Sequence, residues 1–145
     1  MIKKASSVEM FEQGCACSQA VLASYCEQYG LDPKFALKLA SGFGGGMRMA
    51  ETCGAATGAY MVLGLENGDD HDNTSAGREK VSEAVIEFSR RFKQNNGAMK
   101  CRDLLGHDIS TPEGSQAATD NNVFDMVCPK LVQSSVDILD DMLKK

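Results

Sequence analysis

The chain has 145 residues, a formal net charge of −5 at pH 7, 43% hydrophobic residues and 24% charged residues, a balance typical of a soluble globular domain. Its length favours one domain, residues 1–145, with a sizeable core. The negative charge argues against nucleic acid or an anionic membrane as the main partner, and no stretch reaches the roughly 18 apolar residues of a membrane span. The two lysines near the N-terminus precede no apolar run, so we expect no signal peptide and a cytoplasmic protein.

Apolar residues at helical spacing predict three short helices in the first part of the chain. The first covers residues 3–13 and is ended by Gly14. The second opens at Ser18 and stops at Gly30, and the third begins at Asp32-Pro33 because proline suits a first helical position. These helices lead into a glycine-rich segment.

That segment and the helix after it are the most distinctive part of the sequence. Residues 42–46 contain four glycines, which permit positive φ angles and close backbone approach. Thr52 is the predicted N-cap of the next helix, which places Cys53 on its first residue. Gly54 and Gly58 share one face of this helix, so we expect another backbone to approach it there.

An acidic connection follows this central helix at Gly68. Its residues 69–73 hold three aspartates and a histidine, and we interpret them as a solvated loop rather than a weak cation site, because adjacent side chains converge poorly on one ion. From Ser75 to Gln94 the apolar positions again follow a helical stripe, which predicts a long scaffold helix.

The rest of the chain predicts a short helix, a loop and a final helix. The short helix spans Ala98 to Leu105 and carries Cys101 in its first turn. The polar stretch from His107 to Asn122 is rich in turn formers and predicts a long surface loop. Pro129 fits a first helical turn, which puts the last helix start at Cys128-Pro129. Without any strand-like alternation, the predicted fold is an all-α, single-domain bundle of about five to seven helices with a glycine-rich loop before the central one.

Four of the six cysteines share a predicted context at or near the start of a separate helix: Cys17, Cys53, Cys101 and Cys128. Helix starts favour anions, and a thiolate is both the nucleophile of disulfide exchange and a ligand for soft metals. Cys26 lies on an apolar stripe and is interpreted as part of the core. Cys15 is either a resolving thiol beside Cys17 or an incidental cysteine. There is no C-x-x-C motif, and the cysteine spacing fits no zinc finger or ferredoxin, so any cluster must come from the tertiary fold.

The order of several short blocks resembles the C_GCAxxG_C_C family of redox-active proteins. The blocks are Cys17-Ser18-Gln19-Ala20-Val21, Gly42-Phe43-Gly44-Gly45-Gly46-Met47, Cys53-Gly54-Ala55-Ala56-Thr57-Gly58, Cys101-Arg102-Asp103-Leu104-Leu105-Gly106 and Cys128-Pro129-Lys130-Leu131-Val132. The resemblance covers nearly the whole chain and implies redox use of the thiols. It maps the characteristic cysteines of the family to Cys17, Cys53, Cys101 and Cys128. A similar domain accompanies haem and iron–sulfur centres in split-Soret cytochromes, so an iron–sulfur cluster or zinc stays open as a cofactor.

Three hypotheses follow for the function. In the first, a thiol-dependent oxidoreductase, Cys53 is the attacking thiolate and Cys17, Cys101 or Cys128 resolves it. Its pKa is expected to be lowered by the helix start and by Arg48 on the approaching loop. In the second, the same four thiolates bind a metal or an iron–sulfur cluster in an electron carrier. In the third, the cysteines only pack in a helical interaction module. The partner is an unspecified redox protein or small-molecule substrate, and the oligomeric state is not indicated.

Overall fold

The computed structural model describes residues 4–69 and 75–144, and these residues form eight α-helices. The helices are α1 (Lys4–Glu12), α2 (Cys17–Tyr25), α3 (Pro33–Ala40), α4 (Gly54–Asn67), α5 (Ser75–Asn96), α6 (Cys101–Leu105), α7 (Pro112–Asp120) and α8 (Val123–Met142). The all-α prediction is confirmed, with one helix more than the predicted range. Most of the acidic connection, residues 70–74, lies outside the described residues.

The core is organised around three helices, α2, α4 and α8. α2 packs closely on α4, and α8 runs across α1, α2, α4 and α5. Phe88 and Phe92 of α5 stack with ring centroids 5.8 Å apart, and both are fully buried. No helix of the described residues combines the length and apolar character that crossing a bilayer requires.

The glycine face of α4 explains how closely α2 approaches. A Cβ atom on Gly54 would lie 3.1 Å from the Ser18 nitrogen and 3.2 Å from Cys17 Cβ. A Cβ on Gly58 would lie 2.8 Å from the Ser18 carbonyl oxygen. The close backbone approach predicted for this face is therefore present, and it serves packing within the chain.

Two predicted boundaries near the C-terminus are wrong. The predicted loop from 107 to 122 contains α7, whose N-cap Thr111 accepts a hydrogen bond from the Gly114 N–H at 2.9 Å, with Pro112 at the first helical position. The last helix begins at Val123, so Cys128 lies inside α8 and Pro129 is an interior proline. The first turn of α8 is apolar, with Val123, Phe124 and Val127 packed against the core, and only the proline signal six residues further on suggests a later start.

Cys26 belongs to the core, as its sequence context predicts. It follows directly after α2, is fully buried, and its thiol donates to the Ala23 carbonyl oxygen at 3.1 Å. It does not line the cavity described below.

Replacing Cys26 by alanine is expected to cost stability without changing thiol chemistry. The change removes one buried sulfur, so the free energy of unfolding should fall by about 1 kcal/mol. Denaturant unfolding measures the loss, and alkylation of the remaining thiols provides the control. A loss of rapid thiol reactivity in Cys26→Ala would contradict its assignment to the core.

Candidate functional site

All four cysteines of the helix-start group line one cavity of about 380 Å³. Its apolar wall includes Phe11, Leu105, Ile109, Phe124 and Leu131, and its polar groups come from Gln19, Ser41, Ser115 and Arg48. Each of the four thiols is almost buried, with 3–9% of its residue surface exposed. Cys15 and Cys26 do not line the cavity. The structure therefore brings together the four thiols that the sequence singled out and leaves the other candidates outside.

Cys17 is the first residue of α2, and its neighbours hold that helix start in place. Ser18 Oγ donates to the Ala40 carbonyl oxygen at 2.8 Å. Gln19 accepts from the Ala16 N–H at 2.8 Å, which satisfies one free donor of the helix start, and donates to the Leu37 carbonyl oxygen at 2.9 Å. The segment after Cys17 thus fastens the thiol against α3. Sequence reasoning missed this positioning role of Gln19, although a polar residue in a helix's first turn is a recognisable capping signal.

Cys53 and Cys101 are held together by an isolated antiparallel bridge between Thr52 and Lys100. The Cys53 N–H donates to the Met99 carbonyl oxygen at 2.8 Å, and the Cys101 N–H donates to the Glu51 carbonyl oxygen at 2.6 Å. Cys53 is opposite Met99 in this bridge, and Cys101 lies two residues after Met99. Because side chains alternate along a strand, both thiols emerge on the same side of the bridge. Diagonal neighbours of this kind lie about 7–8 Å apart between Cα atoms. Cys53 is the N-cap of α4, and Thr52, the predicted N-cap, lies in the bridge.

A left-handed turn over Gly45–Arg48 forms the rim of the cavity. Four consecutive residues have positive φ, at 64°, 61°, 59° and 62°. Outside glycine, this conformation costs roughly 1–2 kcal/mol per residue. Arg102 steadies the chain just after the turn, because its guanidinium donates to the Met49 carbonyl oxygen at 2.9 Å, the Ala50 carbonyl oxygen at 3.1 Å and Glu51 Oε2 at 2.8 Å.

Cys128 reaches the cavity from α8, directly before the interior Pro129. Pro129 has no N–H, so the Asp125 carbonyl oxygen receives no helical hydrogen bond from it. Ser135, further along α8, donates to the Ala55 carbonyl oxygen at 2.7 Å and ties α8 to the start of α4. The thiol of Cys128 lines the same cavity as the helix starts that carry Cys17 and Cys53.

Cys17 and Cys128 form a hydrogen-bonded thiol pair, and the bond splits their pKa values. The Cys17 thiol donates to the Cys128 sulfur, which lowers the pKa of Cys128 below its ordinary value, while burial and the nearby Asp125 oppose this. The same bond, together with burial, raises the pKa of Cys17. Cys128 is thus the thiol that ionises first, and Cys17 keeps its proton as the donor.

Cys53 does not have the lowered pKa that its helix-start position predicts. Burial raises its pKa to about 12, and the N–H groups of Ala55 and Ala56, which favour the anion, offset only part of that increase. Arg48 lies at the rim and is exposed. Burial likewise raises the pKa of Cys101 to about 11, against a smaller lowering by Arg102. The expectation that the pKa of Cys53 is lowered is therefore wrong, because desolvation outweighs the helix start.

Zinc and iron–sulfur clusters are the two cofactors that four cysteine thiolates could in principle hold. Soft sulfur donors suit both groups. Within residues 4–69 and 75–144, however, no three His, Cys, Asp or Glu side chains are grouped so that they could hold a metal ion. The described thiols as arranged therefore do not fit a single metal centre.

Comparison with known proteins identifies the family. The family C_GCAxxG_C_C, described as "Putative redox-active protein", matches residues 15–142. The chain belongs to the C_GCAxxG_C_C family. This membership supports a redox-related role, and the four cysteines of the cavity all lie within the matched residues. No curated protein and no solved structure matches the chain.

Proposed function

We propose that this C_GCAxxG_C_C protein is a thiol-dependent oxidoreductase in which Cys128 attacks a disulfide and Cys17 resolves the product. The observation that carries the proposal is the cavity that Cys17 and Cys128 share, where the interaction of the two thiols lowers the pKa of Cys128. Thiol–disulfide exchange needs a thiolate as nucleophile and a second thiol within reach. The pair supplies both, and the reducing cytoplasm expected from the sequence would keep it in the dithiol form.

The reaction conserves sulfur, protons and electrons. The Cys128 thiolate attacks one sulfur of a disulfide, its S–S bond breaks, and the first thiolate leaves while a mixed disulfide forms on Cys128. Cys17 gives its proton to the departing thiolate and attacks the Cys128 sulfur. The second thiolate then leaves, and the protein holds a Cys17–Cys128 disulfide. Two electrons pass from the protein dithiol to the substrate disulfide, which becomes one thiol and one thiolate. The thiolate takes from solvent the proton that Cys128 lost when it ionised.

Cys53 and Cys101 form a second dithiol behind this pair in the proposed scheme. Cys17 contacts the start of α4, since its Cβ lies 3.2 Å from the place of a Gly54 side chain. The raised pKa values of Cys53 and Cys101 keep these two thiols protonated and unreactive towards outside disulfides. They take no part in the exchange with the substrate disulfide.

Single-turnover oxidation by a small symmetric disulfide tests the proposal. The reduced protein should release two equivalents of small thiol for each Cys17–Cys128 disulfide formed, and peptide mapping should find that disulfide before any other. In Cys17→Ala the mixed disulfide should stay on Cys128 and be visible as added mass. A first adduct on Cys53, or iron or zinc bound in stoichiometric amount by the four thiols after anaerobic purification, would contradict the proposal.

A further inference from the structure

Arg48 is the one charged side chain among the described residues that line the cavity. Its side chain passes over Gly45, where an added Cβ would lie 3.9 Å from Arg48 Cδ. Within residues 4–69 and 75–144 its guanidinium has no hydrogen-bond or ion-pair partner, whereas Arg90, Arg91 and Arg102 all pair with carboxylates. A cation without a protein partner at the rim of an otherwise uncharged cavity is suited to meeting an anion from solution.

The turn that carries Arg48 fixes its position despite an unfavourable backbone. Arg48 has φ 62° and its neighbour Met47 has φ 59°, a region that residues with a Cβ rarely adopt. Gly46 cannot be replaced there, because a Cβ would lie 2.4 Å from the Glu51 nitrogen. Arg102 holds the chain immediately after the turn. Strain of this kind persists where the surrounding structure imposes it, and it is concentrated at binding sites.

We infer that Arg48 selects the substrate of this site, and that the substrate is a low-molecular-weight disulfide bearing a carboxylate. The inference rests on the proposed function and adds the chemical class of the disulfide. A cavity of about 380 Å³ is at the small end of the range for small-molecule sites. A guanidinium binds a carboxylate through two parallel hydrogen bonds, and the apolar wall accommodates the carbon chain. With the carboxylate on Arg48, the disulfide would reach the thiols at the base of the cavity, where Cys128 attacks as described above.

Two alkylating reagents of similar size separate charge recognition from redox chemistry. Iodoacetate carries a carboxylate and iodoacetamide is neutral, and both react with the Cys128 thiolate. The ratio of the rate with iodoacetate to the rate with iodoacetamide should fall about fivefold in Arg48→Gln, the effect expected of an exposed ion pair. Arg48 is not among the groups that shift the pKa of Cys128, so the iodoacetamide rate should stay unchanged. Glutamine carries the same backbone strain as arginine at this φ.

Arg78→Gln is the matched control, because Arg78 is exposed on α5, does not line the cavity, and loses the same charge. Its ratio should equal that of the unaltered protein. High salt should lower the ratio of the unaltered protein towards that of Arg48→Gln. An equal ratio in Arg48→Gln and the unaltered protein would overturn the inference.

Three disulfides of similar length then test the substrate class: 3,3′-dithiodipropionate, bis(2-hydroxyethyl) disulfide and cystamine. The unaltered protein should react fastest with the dicarboxylate and slowest with the diamine, and Arg48→Gln should lose the advantage of the dicarboxylate. Equal rates with all three would overturn the inference and leave the proposed function in place. If none oxidises the protein while the alkylation ratio falls as expected, the proposed function is overturned and the anion-binding role of Arg48 is supported.

Discussion

Iodoacetamide at pH 7 is expected to modify Cys128 before Cys17, Cys53 or Cys101. The reason is the hydrogen bond from the Cys17 thiol, which holds the pKa of Cys128 below its ordinary value, whereas burial raises the pKa of Cys53 to about 12 and that of Cys101 to about 11. A lowered pKa keeps the thiolate present as the pH falls, so the rapid phase should persist below the pH at which an ordinary cysteine stops reacting. Mass spectrometry of alkylated peptides across pH measures the order.

Removing the Cys17 thiol should raise the pKa of Cys128 instead of lowering it. In Cys17→Ala the two remaining influences on Cys128, burial and Asp125, both raise its pKa. A hydrogen bond to a charged group contributes about 1.5–3 kcal/mol, so the rate at pH 7 should fall about tenfold or more. Cys17→Ser keeps a donor and should retain much of the rate, and Cys53→Ala should leave the rapid phase intact. A rapid phase that survives Cys17→Ala and disappears in Cys53→Ala would restore Cys53 as the nucleophile.

Local sequence signals predicted the positions of the cysteines well where a helix start was unambiguous. Cys17 and Cys101 are the first residues of α2 and α6, and Gly106, which closes α6, has φ 74°. The glycines of α4 were correctly interpreted as a close-approach face. These features depend on a few neighbouring residues, which is why the sequence contains them.

The errors arose where a local signal was present but was outweighed by composition. Thr111-Pro112-Glu113 is an ordinary helix start, with a capping hydroxyl, a proline at the first position and an acidic first turn. The residues after it are polar and form no apolar stripe, so the segment was interpreted as a loop. At Pro129 a helix start was predicted where there is none, because a proline typical of a helix start lies inside α8.

The chemistry of the thiols could not be derived from the sequence at all. Whether a helix start lowers a cysteine's pKa depends on how far the sulfur is removed from water, and Cys53 is 3% exposed. The pairing of Cys17 with Cys128 depends on α2 and α8 meeting across the core. Neither burial nor a contact between distant segments is encoded in the residues next to a cysteine.

Replacing Gly58 by alanine is expected to destabilise the protein and disturb the site together. The new Cβ would lie 2.8 Å from the Ser18 carbonyl oxygen and 3.1 Å from Val21 Cβ, so α2 would have to move away from α4. Overpacking of this kind costs about 1–3 kcal/mol, and the better helix propensity of alanine returns up to about 1 kcal/mol. The net loss should be about 1–2 kcal/mol, measured by denaturant unfolding, with a lower melting temperature.

Gly64→Ala is the matched control on the same helix, because nothing lies within 4 Å of its added Cβ. It should raise the free energy of unfolding by about 0.5–1 kcal/mol through helix propensity alone. Since Ser18 follows Cys17 directly, a displaced α2 should also weaken the hydrogen bond to Cys128, and the alkylation rate of Cys128 at pH 7 should fall in Gly58→Ala but not in Gly64→Ala. Equal stabilisation by both substitutions would mean that α2 and α4 are not in close contact at Gly58. A destabilised Gly58→Ala with an unchanged Cys128 rate would mean that the thiol pair is held independently of the contact between these two helices.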